Sequence, residues 1–386
     1  MKNFIQNRPF RLFLATISLL LIFIAWQRVT TPTDGLIIEE TTAAHVPLRY
    51  VLPQNAQNAP AVIIAHGFAG SSELMLAYSY VFAHAGYVTL LLDFDGHAAN
   101  SVPLSFDPDT NERDNNLQTN LNLAYDHLLT RPEIDPNRIA LLGHSMGSGA
   151  VMRNAIAHPE RYTAVLPISP TSADVTPNLP PNMHLQAGQY EAPFVANAEQ
   201  LLADAGGPND DLTTGRARQF TLIPNVEHIS ILFSPQSHQA ALNWLNRTNN
   251  WQTQTPYQDG RILWYAVHVT AVLTLALTLK PLIPLQPNPP PTKPSTTWRR
   301  WLLLATAPFI ATALIFTLNF LTPMQSVGGL LVGGALALWF LVMGLIWLAA
   351  TPSPNTPKPT DFLWGFALFA LLTAAFGLMA HIVWLP

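Results

Sequence analysis

The chain has 386 residues, 49% of them hydrophobic and only 11% charged, against about 25% charged in an ordinary globular protein. A net charge of −4 argues against a basic nucleic-acid surface. The absence of cysteine excludes disulfides, thiolate zinc sites and a cysteine nucleophile. The charge deficit is uneven, since nearly all carboxylates lie between Asp34 and Asp259 and both ends are almost bare.

The first element, Leu12 to Trp26 (LFLATISLLLIFIAW), is apolar and follows Lys2, Arg8 and Arg11. It is short for a span and resembles a signal-peptide core, but Phe23-Ile24-Ala25 puts a bulky residue where a cleavage site needs a small one. Residues 1–30 are therefore expected to be an uncleaved signal anchor. Residues 31–255 form the charged block, in which strand-like and helix-like segments alternate. Gly35–Glu40 and Val46–Leu52 suggest an opening hairpin. The runs AVIIAH (61–66), YVTLLLD (87–93), RIALLG (138–143), TAVLPIS (163–169), MHLQAG (183–188) and QFTLIP (219–224) follow, short and bounded by Gly, Pro or Asp, as in buried parallel strands. Ser72–Ala85, Asn115–Leu129, Gly147–Ala157, Pro193–Ala205 and Gln236–Arg247 are the helical stretches between and after them. The alternation predicts an α/β fold, a doubly wound and mostly parallel sheet with ligands at the carboxyl ends of its strands.

Residues 256–386 return to apolar runs, with spans expected near 262–279, 301–321, 327–350 and 362–385. If the N-terminus is cytoplasmic, Lys2, Arg8, Arg11, Lys280, Lys293, Arg299, Arg300 and Lys358 all fall inside. Only Arg28 and Arg261 then flank the spans outside. This asymmetry predicts a multi-pass protein of the cell membrane with residues 28–260 on the extracytoplasmic side. The proline-rich stretches Pro281–Pro294 and 351–360 become cytoplasmic linkers. Gly329 and Gly333, four residues apart, suit close helix packing.

The stretch "LLGHSMGSGA" (141–150) carries the chemistry. Gly143-His144-Ser145-Met146-Gly147 matches G-x-S-x-G, with a strand before it and a helix after it. In that setting the glycines admit a turn too tight for side chains, and the turn aims the serine hydroxyl out of the sheet. Ser145 is read as a nucleophile rather than as part of a structural turn.

With these residues the chain resembles the α/β-hydrolase superfamily, in its dienelactone-hydrolase-like and serine-esterase branch, over about residues 35–250. His66-Gly67-Phe68, closing the third strand in "AHGFAGSS", matches the family's oxyanion loop. The resemblance implies that the backbone N–H groups of Phe68 and Met146 form an oxyanion hole, although the same residues would also suit a plain glycine turn. His66 itself is expected to order the loop rather than act as a base. His228, in "IPNVEHISIL", falls where the family places its catalytic histidine, after Ser145 with an acid between them; the bland alternative is a surface-loop histidine. In "LQAGQYEAP" Glu191 follows Gly188 and precedes Pro193 at the family's acid position, with Glu in place of the usual Asp. Glu191 could instead serve the helix N-terminus, and Asp174, in "SPTSADVT", is the alternative acid. Asp93 and His97, in "LLDFDGHAAN", fall in the family's bracing loop, with His97 as a possible pocket residue. Met75, Tyr78 and Phe82 make a core stripe.

The expected activity is that of a membrane-anchored carboxylesterase working through Ser145, His228 and Glu191 and an acyl-enzyme. It requires no metal and no cofactor, and its substrate would be a small-molecule or lipid-like ester. A peptidase or acyltransferase would use the same residues. The rival classes are an idle hydrolase-fold sensor or scaffold and a transporter. The transporter is the weaker of the two, because only His268 and His381 are ionisable within the spans. Oligomeric state and substrate identity are open on the sequence.

Overall fold

Eight strands form one sheet in the computed structural model, which describes residues 8–105, 111–279, 297–320, 333–350 and 359–378. The strands are β1 (Leu36–Ala43), β2 (Val46–Pro53), β3 (Ala59–Ala65), β4 (Val88–Leu92), β5 (Ile134–His144), β6 (Ala164–Ile168), β7 (Met183–Gly188) and β8 (Arg218–Ile223). Their spatial order is β1-β2-β4-β3-β5-β6-β7-β8. From β4 to β8 every pairing is parallel, while β1 and β2 form the expected antiparallel hairpin and β2 runs antiparallel to β4. The chain thus starts β3 in mid-sheet, crosses to β4 on one side, and then winds through β5 to β8 on the other. That reversal leaves the carboxyl ends of β3 and β5 side by side, where a doubly wound sheet opens a crevice for ligands.

Every residue of β3, β4 and β6 is buried, because helices cover both faces of the sheet. This is why those strands read as continuous apolar runs rather than as alternating ones. Ile63, Leu90, Leu141 and Val165 point to one face. There they meet Leu117 and Leu121 of α3 (Glu112–Leu128), Val151 of α4 (Met146–Ala157) and Leu201 of α5 (Ala192–Asp204). Val62, Ile64, Leu91 and Leu142 point to the other face. Their partners are Tyr78 and Phe82 of α2 (Leu76–His84) and Trp244 and Leu245 of α6 (Pro235–Thr248). Full burial of one such side chain is worth about 1.5–3 kcal/mol, so a one-residue slip in β3 would forfeit several of these contacts at once. Met75, Tyr78 and Phe82 are fully buried, as a core stripe requires.

Two boundaries around the sheet differ from the sequence reading by four residues, the others by three or fewer. The helix expected over Ser72–Ala85 opens as a 3-10 turn, Ser72–Met75, before α2 begins. There the Ser72 N–H, one of the donors that a helix start leaves without an intrahelical partner, donates to Asp93 Oδ1 at 2.8 Å. β5 begins at Ile134, four residues early, across an irregularity in its pairing with β3. At that start Arg138 reaches back to Asp135 at 2.6 Å.

The sheet domain also includes α1 (Arg8–Thr30) and α7 (Arg261–Leu279, as far as Thr278). These two helices lie antiparallel. Arg28 sits over Trp264 at 5.7 Å, Trp26 meets His268 edge-on at 6.3 Å, and Arg11 Nε donates to the Thr278 carbonyl at 3.3 Å. His268, ionisable within an expected span, is buried against Trp26 of α1. Both chain connections land on the C-terminal end of α2. His84 Nε2 donates to the Pro32 carbonyl at 2.9 Å, just past α1. The Thr255 N–H and Trp251 Nε1–H, on the approach to α7, donate to the carbonyls of His84 and Ala85. Arg261, the first residue of α7, is buried with Asp259 in a bidentate pair, its guanidinium 4.4 Å from the centre of the Tyr80 ring.

A second unit holds α8 (Thr297–Asn319), α9 (Gly333–Ala350) and α10 (Pro359–Leu372). Among the described residues three helices are long and apolar enough to cross a membrane, Arg8–Thr33, Arg261–Leu279 and Trp301–Leu318. Gly334–Leu348 and Phe362–Gly377 are apolar but shorter. Gly329, His381, the linker Pro281–Pro294 and residues 351–358 of the expected 351–360 linker lie outside the described residues, while Pro359 and Thr360 of that stretch open α10 rather than continue a linker.

Candidate active site

β5 ends at His144 and α4 begins at Met146, so one residue, Ser145, makes the whole turn. Its backbone sits at φ 53° and ψ −118°, a region that costs a non-glycine residue roughly 1–3 kcal/mol. Hydrogen bonds hold it there. The Ser145 N–H donates to Ile168 O at 2.9 Å, while Ser148 Oγ and Thr171 Oγ1 both donate to Ser145 O. The two glycines of the motif are steric requirements. A Cβ on Gly143 would collide with the carbonyl of Gly147, and one on Gly147 would lie 2.5 Å from His66 O and 2.7 Å from Ala65 O.

His228 lies between β8 and the next helical turn. Its Nε2 is 3.1 Å from Ser145 Oγ and its Nδ1 is 2.8 Å from Glu191 Oε2. With a carboxylate beside Nδ1, the neutral ring carries its proton on Nδ1 and donates it to Glu191, leaving Nε2 to accept from the serine hydroxyl. Glu191 is buried, and its other oxygen accepts from Ser169 Oγ at 2.7 Å and from the Gly188 N–H. Although Glu191 is the N-cap residue of α5, its side chain makes no capping bond and turns to His228 instead. The structure brings Ser145, His228 and Glu191 together from positions 83 and 37 residues apart. Asp174 is left out. It is exposed after β6, and among the described residues its carboxylate has no hydrogen bond or ion pair.

The loop after β3 closes the other side. His66 is fully buried, with Nδ1–H donating to Gly67 O at 2.7 Å and Nε2 accepting the Phe94 N–H at 3.1 Å. Both ring nitrogens are thus committed to the backbone, and burial lowers its pKa to about 3. Such a ring orders a loop and cannot serve as a base at neutral pH. Gly67 lies against the elbow, since a Cβ there would come within 3.0 Å of Ser145 Cβ. Phe68 follows it, 44% exposed, with its ring edge-on to His97. Met146 opens α4, and the first N–H groups of a helix have no partner within the helix. Asp93 braces this region by accepting from the Ser72 and Ala99 N–H groups, and His97 Nδ1–H donates to Asp95 O.

Three neighbours escaped the sequence reading. Phe194 stacks on the His228 ring at 4.2 Å and 18°. Ser169, itself at φ 48°, supplies the second bond to Glu191. His144, the variable residue of the motif before Ser145, donates from Nε2 to the His228 carbonyl at 2.9 Å. Only the Pro193-Phe194 step after Glu191 could have flagged an aromatic near the acid; nothing local marks the other two. Among the described residues, no group of three or more His, Cys, Asp or Glu is placed to hold a metal.

A family model described as serine aminopeptidase, S33, matches residues 56–214, a stretch that contains Ser145 and Glu191 and stops short of His228. Bifunctional epoxide hydrolase 2 of Sus scrofa is 26% identical over 253 residues, 56% of this chain and 43% of that protein. Cutinase est1 of Thermobifida alba is 29% identical over 124 residues, 31% of this chain and 37% of that protein. The chain therefore spans less than half the length of these curated relatives. A dienelactone hydrolase from Anabaena variabilis, among the solved structures, aligns at 21% identity and a TM-score of 0.40. That alignment covers 56% of this chain and 97% of the other.

Proposed function

We propose, for a chain that belongs to the α/β-hydrolase superfamily, a membrane-anchored serine hydrolase that cleaves carboxylic esters. The observation that carries this reading is the unbroken chain of hydrogen bonds from Ser145 Oγ through His228 to Glu191 at the carboxyl ends of β5, β7 and β8. Ser145 Oγ attacks the acyl carbonyl while His228 Nε2 takes its proton. Glu191 keeps the Nδ1 proton in place and stabilises the imidazolium that forms. The Phe68 and Met146 N–H groups donate to the oxyanion of the tetrahedral intermediate. His228 then gives its proton to the leaving alkoxide, and a water activated by the same Nε2 releases the acid from the acyl-enzyme. No metal or cofactor enters any step.

Exposed apolar side chains at Phe68, Tyr190 and Ile229, each beside a residue of the site, favour an apolar acyl or alcohol group over a charged one. The apolar helices support anchoring in a lipid bilayer, and the Lys/Arg asymmetry of the sequence supports an extracytoplasmic catalytic domain. The matched family model favours one second reading, hydrolysis of an N-terminal amide by the same three residues. A fluorophosphonate probe applied to membranes containing the full chain tests the proposal, with the labelled peptide mapped. Ser145 should carry the label, and Ser145→Ala should abolish both labelling and p-nitrophenyl ester turnover. Turnover that persists in folded Ser145→Ala would sink the reading. Faster cleavage of an aminoacyl anilide than of the ester would select the second one.

A further inference from the structure

His144 stands where the nucleophile motif tolerates any residue, yet its ring occupies the junction of three loops. Its main chain is the last residue of β5, one step before Ser145. Its Nε2 faces the carbonyl of His228 at 2.9 Å, and the two rings lie 4.7 Å apart at 41°. Its Nδ1 rests against Gly67, where an added Cβ would approach to 2.9 Å. A carbonyl only accepts, so Nε2 carries the proton and Nδ1 is bare. We propose that His144 is a positioning residue: its Nε2–H fixes the main chain of His228 to the nucleophile elbow, and so sets the distance over which the serine proton travels.

The geometry gives the bond leverage. His228 is tied at Nδ1 to Glu191 and stacked under Phe194, and both contacts act on its ring. The His144 bond acts on its backbone, in a loop whose Ile229 is 48% exposed. Without it the ring could keep its carboxylate while Nε2 drifts from Ser145 Oγ. Burial also keeps His144 uncharged by lowering its pKa to about 3. The neighbouring ring can therefore accept the serine proton without facing a second positive charge.

This inference rests on the proposed hydrolase mechanism, and the experiment separates the two. His144→Met removes the donor at similar length, while His144→Gln keeps an N–H at nearly the position of Nε2. Both full-length variants are assayed on a p-nitrophenyl ester beside Ser145→Ala, with thermal unfolding as the control for folding. The expected result is a fall in kcat of roughly 10- to 100-fold for His144→Met, the cost of a misplaced catalytic group. KM should stay within about twofold, because substrate-binding contacts are untouched, and His144→Gln should recover most of the loss. Equal impairment of the two variants, or full activity in His144→Met, would overturn the positioning role while leaving the mechanism intact. Turnover unaffected by Ser145→Ala would overturn the mechanism itself. Should His144→Met fail to fold, ring 15N spectra of the wild-type protein decide. A neutral Nε2–H ring from pH 8 to pH 5 is expected, and an Nδ1–H tautomer or titration within that window would overturn the proposal.

Discussion

Replacing Glu191 by glutamine changes one atom, and the consequences follow from what surrounds that atom. The carboxylate accepts three hydrogen bonds. One comes from His228 Nδ1 at 2.8 Å, and two, from Ser169 Oγ and the Gly188 N–H, converge on the other oxygen. A glutamine amide must present its oxygen to one side and its NH2 to the other. The Gly188 N–H is fixed in the backbone and can only donate, so the amide oxygen stays there; Ser169 can rotate its hydroxyl. The NH2 group then faces His228 Nδ1, which must become the acceptor. That drives the imidazole proton to Nε2, where it points at Ser145 Oγ and cannot take the serine proton.

The same exchange of acid for amide lowers turnover about 10⁴-fold in serine proteases. We expect roughly 10²- to 10⁴-fold here, equivalent to about 2.7–5.4 kcal/mol of transition-state stabilisation. The lower bound allows for a minor population of the productive tautomer. The assay is steady-state hydrolysis of a p-nitrophenyl ester by the purified full chain, with thermal unfolding to confirm that the buried site survives. Asp174→Asn, at an exposed carboxylate, should lose less than twofold by comparison. A loss under tenfold at Glu191 in a folded protein, joined to a large loss at Asp174, would refute this reasoning and move the acid to residue 174.

Gly147→Ala should destabilise the sheet domain by about 1–3 kcal/mol or prevent its accumulation, since the new methyl would press on two backbone oxygens that cannot yield; chemical denaturation gives the value, and wild-type stability would contradict the steric account. His66, His144 and His184 are buried with pKa values lowered to about 3 from an ordinary 6.5. Their neutral forms support the fold fully above pH 6.5, and that support fades as pH falls toward 3, by about 1.4 kcal/mol per pH unit for each ring. The unfolding temperature should therefore drop steeply between pH 6.5 and pH 5, and a flat profile would argue against these pKa values. A reporter active only outside the cytoplasm should work when fused after Gly206 and fail after Pro290, and the reverse pattern would put the catalytic domain inside.

Strand positions and the serine elbow were legible because each depends on a few adjacent residues. Apolar runs between Gly, Pro and Asp marked all eight strands to within a few residues at most ends, and Gly143-His144-Ser145-Met146-Gly147 marked the turn. What joins these pieces is not local. Nothing near His144 says that its ring will meet a carbonyl 84 residues later, nor does the sequence around Ser169 foretell its bond to Glu191. The choice between Glu191 and Asp174 was open for the same reason, because both follow strand ends and only the fold decides which carboxylate turns inward. Likewise the acceptor for the first N–H of the 3-10 turn before α2 is Asp93, contributed from beyond the following strand.

Within the sheet domain the chain reaches the strands beside Pro32 and leaves the last helix that covers them near Thr255, and both points are tied to His84. Between them run all eight strands; outside them, α1 and α7 pack against each other as one antiparallel pair. In connectivity the sheet is thus an insert carried in the loop of a helical hairpin. Chain ends that meet in this way make a unit portable. The domain could be lifted out by cutting at two neighbouring points, and a short linker closing the hairpin in its place would leave the α1–α7 packing unchanged. The helical pair and the sheet would then be separable modules that meet at the C-terminal half of α2.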